Sequence, residues 1–177
     1  MQFYNRETEL ALLEDIAKKA QQQSKMTFIV GRRRIGKTRL LLKAFTHKPF
    51  VYFFVSRKAE KLLCDEFIVQ VERALNIKVL GDFSHFEYLF EYLLDLSKRY
   101  HFTLAIDEFQ EFFNINPAIY SAMQNLWDRY KDNTCLNLIL CGSIYSLMTK
   151  IFENAKEPLY GRADKKIILP PFNVHTL

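Results

Sequence analysis

The stretch Gly31–Thr38, with the sequence GRRRIGKT, constrains the fold of this chain more than any other. It fits the pattern G-x-x-x-x-G-K-[ST]; an apolar, β-prone run (Met26–Val30) precedes it and a helix-forming run (Arg39–Phe45) follows it. A strand, a glycine-bearing loop and a helix N-terminus are the setting in which this pattern binds phosphate. Glycines let the backbone wrap closely around an anion, and the loop amides then point into one concavity at the helix N-terminus. The stretch therefore predicts a nucleotide site in preference to a basic turn.

The side chains of this phosphate loop suggest which nucleotide complex it holds. Lys37 can reach the β- and γ-phosphates as a point charge, and the Thr38 hydroxyl can ligate Mg²⁺. ATP and Mg²⁺ are therefore the predicted cofactors, with ADP as the product or alternative ligand. The residues predicted to contact the nucleotide are those of the loop and the one that follows it: Gly31, Arg32, Arg33, Arg34, Ile35, Gly36, Lys37, Thr38 and Arg39.

Apolar runs that favour strands alternate along the chain with amphipathic runs that favour helices. Strands are predicted at Met26–Val30, Phe50–Val55, Phe102–Glu108, Leu136–Cys141 and Lys166–Leu169. Helices are predicted at 3–23 (with Asn5 as N-cap), after the phosphate loop, at 59–75, from Phe86 to about Arg99, from Asn116 through Tyr130, and near Ile144–Asn154. This alternation implies βαβ crossovers, and hence a three-layer α/β fold whose parallel sheet is covered on both faces.

Two adjacent acids, Asp107 and Glu108, end one of the apolar strands. This position places them at the carboxyl edge of a parallel sheet, where the phosphate loop also leaves its strand and where ligands bind in open α/β sheets. Asp107 is predicted to hold Mg²⁺ together with Thr38, and Glu108 to orient and polarise the water that attacks the γ-phosphate. Two acids can also merely end a strand, but the phosphate loop upstream favours the catalytic interpretation.

Two further residues have a functional and a structural interpretation. Ser143 follows the strand Leu136–Cys141, and it either hydrogen-bonds the γ-phosphate or attacking water or caps the next helix. Arg162 lies in the loop before the last strand. It either completes a neighbouring subunit's site as an arginine finger, which would make the protein a homo-oligomer, or forms a local salt bridge.

The order of several motifs resembles a known family. These are the head Phe3–Leu10, the loop GRRRIGKT, the box Ile106–Gln110, Trp127, Cys141–Ser143 with Met148, and Pro158–Arg162. Together they are similar to the archaeal-type ATPase family of AAA+/STAND P-loop proteins, and they cover nearly the whole chain.

The resemblance implies a P-loop NTPase fold of the ASCE/AAA+ type, with a five-stranded sheet of order 5-1-4-3-2. It also implies that Asn5, Arg6 and Glu7 lie near the adenine and that Ser143 takes the sensor-1 role. Family members usually continue into a helical lid or winged-helix segment and often an effector domain. Because the sequence stops at Leu177, residues 1–177 are expected to be an ATPase core without those parts.

Composition narrows the class of protein but not its partner. Hydrophobic residues make up 49% of the 177 residues, which is typical of a globular domain with a sizeable core. No apolar run approaches the length of a membrane span, so a cytoplasmic protein with no membrane partner is expected. The net charge of +5 includes Arg32, Arg33 and Arg34 of the phosphate loop, so it does not by itself indicate nucleic acid. The protein or nucleic-acid partner stays open.

The predicted function is Mg²⁺-dependent ATP hydrolysis coupled to a conformational change. One alternative is a nucleotide-dependent switch that does not hydrolyse ATP, against which the presence of Glu108 argues. A second alternative is a P-loop kinase, but adjacent acids that can activate water fit hydrolysis better than transfer to a small molecule.

Overall fold

A five-stranded parallel sheet forms the middle layer of the computed structural model, which describes residues 6–170. The strands are β1 (Lys25–Val30), β2 (Phe50–Phe54), β3 (Phe102–Asp107), β4 (Leu136–Gly142) and β5 (Lys165–Ile168). Their order across the sheet is β2-β3-β4-β1-β5, and every neighbouring pair is parallel. The predicted order 5-1-4-3-2 is therefore confirmed, counted from the β5 edge.

The helices occupy both faces of the sheet and complete the three layers. They are α1 (Glu7–Ala20), α2 (Lys37–Ala44), α3 (Glu60–Leu75), α4 (Phe86–Leu96), α5 (Phe112–Ile115), α6 (Ala118–Tyr130) and α7 (Tyr145–Glu153). One face carries α1 and α2, whose Leu13 and Leu40 share a core with Ile29 of the sheet. The other face carries the larger core, in which Phe67 of α3 stacks on Phe53 of β2 with ring centroids 4.1 Å apart.

Burial differs between the central and the edge strands for a simple reason. The strands β3 and β4 are buried along their whole length, since helices cover both faces and a neighbour lies on each side. In the edge strand β2, buried residues alternate with more exposed ones, and in the edge strand β5 only Ile167 is buried. Their sequences differ accordingly: β4 carries four aliphatic residues and no charge, whereas β5 begins with Lys165 and Lys166.

The strand register brings the predicted site residues to one edge of the sheet. Val30, the last residue of β1, pairs with Gly142 at the end of β4, and Phe54 at the end of β2 pairs with Asp107 at the end of β3. The phosphate loop, Asp107 and Ser143 therefore all lie at the carboxyl ends of neighbouring strands. This edge is the candidate functional site.

Some boundaries differ from the predictions. The first helix begins at Glu7 with Arg6 as its N-cap residue; the predicted N-cap, Asn5, lies outside the described residues. The helix predicted to reach Arg99 ends at Leu96, where the Ser97 hydroxyl donates to the Leu94 carbonyl. The short helix α5 was not predicted, because four residues are too few for a helical periodicity to show.

Candidate functional site

The phosphate loop connects β1 to α2 in a conformation that its glycines make possible. Gly36 has φ 93° immediately before α2, a left-handed conformation that glycine adopts without strain. A Cβ at Gly31 would lie 3.0 Å from Ile35 Cγ2 and 3.2 Å from Leu169 Cβ, which leaves little room for a larger residue. The Gly31 amide donates to the Gly142 carbonyl at 3.1 Å and extends the β1–β4 pairing into the loop. The backbone of the loop is thus fixed by the sheet behind it.

The three arginines of the loop project away from the core. Arg32, Arg33 and Arg34 are all exposed, whereas Ile35 is buried in the core beneath α2. Arg34 has φ 65°, a left-handed conformation that costs a residue with a Cβ about 1–3 kcal/mol. Ile35 thus anchors the loop while Arg34 takes a strained backbone conformation. Strain of this kind is common where a backbone wraps around a ligand.

Lys37 is buried at the first position of α2 and is held by the loop itself. Its Nζ donates to the Gly31 carbonyl at 2.7 Å and approaches the Arg32 carbonyl at 3.4 Å. Carbonyl oxygens are weaker partners for an ammonium group than phosphate oxygens, because hydrogen bonds between two ionised groups are the stronger ones. The ammonium is therefore positioned over the concavity and available to an anion that enters it.

The predicted metal ligands are linked through a residue that the sequence did not suggest. Tyr52 of β2 donates its hydroxyl to Asp107 Oδ2 at 2.5 Å, and the same hydroxyl lies 3.5 Å from Thr38 Oγ1. The other carboxylate oxygen, Asp107 Oδ1, accepts the Glu108 amide at 2.8 Å. Burial and the bond to Asp107 raise the pKa of Tyr52, so its phenol stays a donor near neutral pH. The sequence signal was one hydroxyl in an otherwise apolar strand, FVYFF.

These oxygens fit Mg²⁺. The ion takes hard oxygen ligands, keeps several waters and is usually bound through one or two carboxylates together with substrate phosphates. Over residues 6–170, no group of three or more histidines, cysteines or acids could form an all-protein metal cage. One carboxylate from Asp107 and one hydroxyl from Thr38 are the donor set expected when the phosphates supply further ligands.

Glu108 is buried and has an unusual backbone conformation. Its φ of 54° is left-handed, and its side chain is only 5% exposed. The carboxylate accepts from the Ser143 hydroxyl at 2.9 Å and from Gln110 Nε2 at 2.5 Å, both on Oε2. Arg33 of the phosphate loop lies 3.9 Å from the other oxygen, Oε1. The strained backbone and these polar partners fix the carboxylate beside the phosphate loop.

Ser143 contacts Glu108 and does not cap a helix. The N-cap residue of α7 is Ile144, without a side-chain cap bond, so the capping interpretation of Ser143 is wrong. The serine hydroxyl also lies 3.4 Å from Gln110 Nε2. Sequence reasoning noted Gln110 only as part of a motif, yet it is 1% exposed and its amide nitrogen serves both Glu108 and Ser143.

The packing behind Gln110 leads to a stability prediction. A Cβ on Gly142 would overlap the Met148 side chain and lie 2.6 Å from Gln110 Oε1. We expect Gly142→Ala to lower the free energy of unfolding by about 1–3 kcal/mol, since an extra methyl in a packed core forces its neighbours to move. Urea unfolding measures the loss. Combining Gly142→Ala with Met148→Ala should cost less than the sum of the two single changes, whereas strict additivity would contradict the predicted overlap.

Arg162 forms a local ion pair in the structure. Its Nη2 and Nε lie 2.9 and 3.3 Å from the carboxylate of Asp128 on α6, and its Nη1 donates to the Tyr160 carbonyl at 2.9 Å. None of these bonds reaches the phosphate loop of its own chain. The local salt bridge that the sequence left open is therefore present, and a role towards a neighbouring subunit stays a prediction.

Of the residues predicted to lie near the adenine, the structure describes Arg6 and Glu7, which lie at the start of α1. Asn5 is outside the described residues. Arg6 is buried; its Nη2 donates to the Pro170 carbonyl at 3.0 Å and its Nη1 lies 3.5 Å from Glu9 Oε1. This arginine ties the start of α1 to the chain that leaves β5. Arg39 lies on the exposed side of α2, one residue after Thr38.

In the part of the chain that is described, none of the helices has the length and apolar character that crossing a membrane requires.

Two proteins of one archaeon are similar to this chain in sequence. The chain is 30% identical to the uncharacterized protein MJECL04 of Methanocaldococcus jannaschii over 96% of its length, and it spans 36% of that protein. A second uncharacterized protein of the same organism, MJ0424, is 40% identical over 31% of this chain and 53% of its own length. The chain thus spans only part of the relatives that it matches.

Solved structures of several archaeal proteins have the same fold. The Walker-type ATPase PABY2304 of Pyrococcus abyssi superposes with a TM-score of 0.74 at 21% identity, over 98% of this chain and 55% of that one. Cdc6p of Pyrobaculum aerophilum gives 0.66 at 18% identity, over 97% and 47%. The Aeropyrum pernix Orc1 protein, solved in complex with DNA, gives 0.65 at 14% identity, over 97% and 47%. At these identities the similarity shows the fold alone.

The match to a family covers nearly the whole sequence. Residues 3–177 match a family described as an ATPase domain predominantly from Archaea. The strand order of the sheet is the one that the family resemblance implied. The chain belongs to this archaeal ATPase-domain family.

Proposed function

We propose that this chain binds Mg·ATP at the carboxyl edge of its sheet and hydrolyses it, and that the reaction drives a conformational change in the larger protein. One observation carries the proposal. Glu108 is a buried carboxylate held between Ser143 and the phosphate loop, directly after the Asp107 that Tyr52 links to Thr38. A metal-binding acid and a second acid near the γ-phosphate position are what attack by water requires.

Each residue has a distinct task in the proposed reaction. Lys37 exchanges its carbonyl partners for the β- and γ-phosphates, and the loop amides with the α2 N-terminus bind the remaining charge. Thr38 and Asp107 hold the Mg²⁺ that, when bound, neutralises the charge developing on the phosphates. Glu108 orients the attacking water and accepts its proton as general base. Ser143 donates its single hydroxyl proton to Glu108 in the structure; once nucleotide is bound, it donates that proton instead to the γ-phosphate or to the water, which releases Glu108 Oε2.

The nucleotide switch is a second candidate, and the contacts of Glu108 favour it. In the structure Glu108 Oε2 is engaged by two donors, Ser143 and Gln110, and Oε1 faces Arg33. Proton transfer to Oε2 requires that Ser143 or Gln110 moves away, and transfer to Oε1 requires that the attacking water reaches the side of the carboxylate that faces Arg33. If neither happens when ATP binds, the domain holds ATP without turnover and acts only as a switch.

The remaining contacts with the ligand and with partners extend the same proposal. Arg6 and Asn5 are assigned to the adenine, in line with the family resemblance, and Arg39 is assigned to the nucleotide because it directly follows the phosphate loop. Arg162 is assigned to the nucleotide of a neighbouring copy in a homo-oligomer. Its pairing with Asp128 means that this role would require the guanidinium to leave a local carboxylate first.

Calorimetry and phosphate release together test the proposed function. We expect the chain to bind ATP more tightly with Mg²⁺ than with a chelator, and to release phosphate only with Mg²⁺. Tight Mg²⁺-dependent binding with no phosphate release would favour the switch. A chain that bound no nucleotide under either condition would contradict both candidates.

Replacing Asp107 separates the metal site from the phosphate site. We expect Asp107→Asn to weaken ATP binding in Mg²⁺ roughly tenfold or more, because a neutral amide oxygen is a poorer ligand for Mg²⁺ than a carboxylate. Binding measured in chelator should change little, since Lys37 and the loop amides still meet the phosphates. Equal losses with and without Mg²⁺ would show that Asp107 supports the loop and not the metal.

A further inference from the structure

Tyr52 lies where a core residue is expected, yet its hydroxyl reaches the ligand edge. It pairs in register with Ala105 of β3, two residues before the Phe54–Asp107 pair. Its ring packs beside Phe50, with centroids 6.4 Å apart, and the side chain is only partly buried. A phenylalanine would fill the same space, so packing alone does not require the hydroxyl.

The hydroxyl protons of Tyr52 and Thr38 decide which atom donates in each contact. The carboxylate of Asp107 can only accept, so the single proton of the Tyr52 hydroxyl is used in the 2.5 Å bond to Oδ2. In the 3.5 Å contact between Tyr52 and Thr38, the threonine is then the donor. With its proton turned towards Tyr52, Thr38 Oγ1 keeps its lone pairs for another partner. The Thr38 oxygen, which the proposed site assigns to Mg²⁺, can therefore accept a metal ion through a lone pair.

Hydrogen bonds from the protein also orient the carboxylate of Asp107. Asp107 Oδ1 accepts the Glu108 amide and Oδ2 accepts the Tyr52 hydroxyl, so each oxygen has one fixed protein donor. Each oxygen retains a second lone pair. Two donors on opposite oxygens prevent the carboxylate from rotating about its Cβ–Cγ bond. The remaining lone pairs therefore keep fixed directions.

We propose that Tyr52 is the positioning residue of the Mg²⁺ site, holding the Asp107 carboxylate and the Thr38 hydroxyl in the orientation that the metal of Mg·ATP needs. The inference rests on the proposed nucleotide site and deepens it. Donors that orient a metal ligand typically contribute 10–100-fold to metal affinity. Tyr52 does so from a neighbouring strand, so the metal site depends on β2 as well as on the phosphate loop and β3.

The test is Tyr52→Phe, with ATP affinity measured by calorimetry at a series of Mg²⁺ concentrations and in chelator. We expect the Mg²⁺ concentration that gives half of the metal-dependent gain in affinity to rise roughly tenfold or more. We expect affinity in chelator to stay within about twofold, because the phosphate contacts do not involve Tyr52. An unchanged Mg²⁺ midpoint in Tyr52→Phe would overturn the proposal, as would an equal loss with and without metal.

Tyr120→Phe is the matched control. It also removes a buried tyrosine hydroxyl, which donates to the Phe109 carbonyl at 2.9 Å, and so it reports what the loss of such a bond costs in stability. Its Mg²⁺ midpoint should equal that of the unmodified chain. A midpoint shifted as far as in Tyr52→Phe would overturn the assignment, because the effect would then follow from any lost hydroxyl.

Failure of this inference is distinguishable from failure of the proposed function. The readout is binding, and it does not need turnover. If the unmodified chain bound Mg·ATP but released no phosphate, and Tyr52→Phe still shifted the Mg²⁺ midpoint, the positioning role would stand and only hydrolysis would be wrong. If the unmodified chain gained no affinity from Mg²⁺, the metal site itself, and Tyr52's role with it, would be wrong.

Discussion

Lys37→Ala is expected to lose most of the affinity for ATP, by about 2–3 kcal/mol or roughly 30- to 150-fold in Kd. The substitution deletes a buried ammonium that the structure already holds over the phosphate loop, 2.7 Å from the Gly31 carbonyl. Its bonds to phosphate would join two ionised groups, and hydrogen bonds of that kind are the stronger ones. Calorimetry with Mg·ATP measures the effect.

Lys43→Ala is the matched control for this substitution. It removes the same charge from the same helix, in its last turn and about 9 Å further along the axis. We expect it to leave ATP affinity nearly unchanged. If both variants lost affinity equally, the effect would be one of general charge, and the assignment of Lys37 to the phosphates would be wrong.

Glu108→Gln is expected to slow steady-state phosphate release by roughly 10²–10⁴-fold while ATP affinity stays within a few fold. The amide keeps the shape of the side chain, and its oxygen can still accept from Ser143. It cannot accept a proton from the attacking water. The contact with Arg33 also loses its charge, which frees the loop arginine and does not weaken phosphate binding.

Glu111→Gln controls for the loss of a nearby buried acid. Glu111 lies three residues further on, and Arg57 and Asn114 each donate to its Oε2 at 3.1 Å. The change should lower stability slightly and leave turnover unaffected. A loss of turnover equal to that in Glu108→Gln would show that the acids of this segment support its structure and do not perform catalysis.

Much of the fold could be predicted from sequence because its signals are local or repeated. The predicted strands Leu136–Cys141 and Phe102–Glu108 are mostly apolar runs. Such runs are typical of central parallel strands, which are buried on both faces. The phosphate loop combines glycines at fixed spacing with a strand before it and a helix after it. The order of the strands came from the family resemblance, since no residue pattern in a single strand specifies its neighbour.

The parts that were missed depend on contacts between distant elements. Tyr52 is one aromatic residue in a strand of aromatic residues, and only the register of β2 against β3 brings its hydroxyl to Asp107. Gln110 lies after an acidic pair where a polar residue suggests solvent, yet the packing of α7 buries it. The left-handed backbone of Glu108 has no sequence signal either, because glutamate seldom adopts that conformation.

A single-turnover experiment on the unmodified chain tests the central claim most directly. The chain is mixed in excess with γ-labelled ATP and Mg²⁺, and bound nucleotide is analysed over time. We predict that all bound ATP is converted to ADP and phosphate in one phase that chelator abolishes. Bound ATP that is recovered intact, at a concentration of chain where calorimetry shows saturation, would contradict hydrolysis and establish the nucleotide switch in its place.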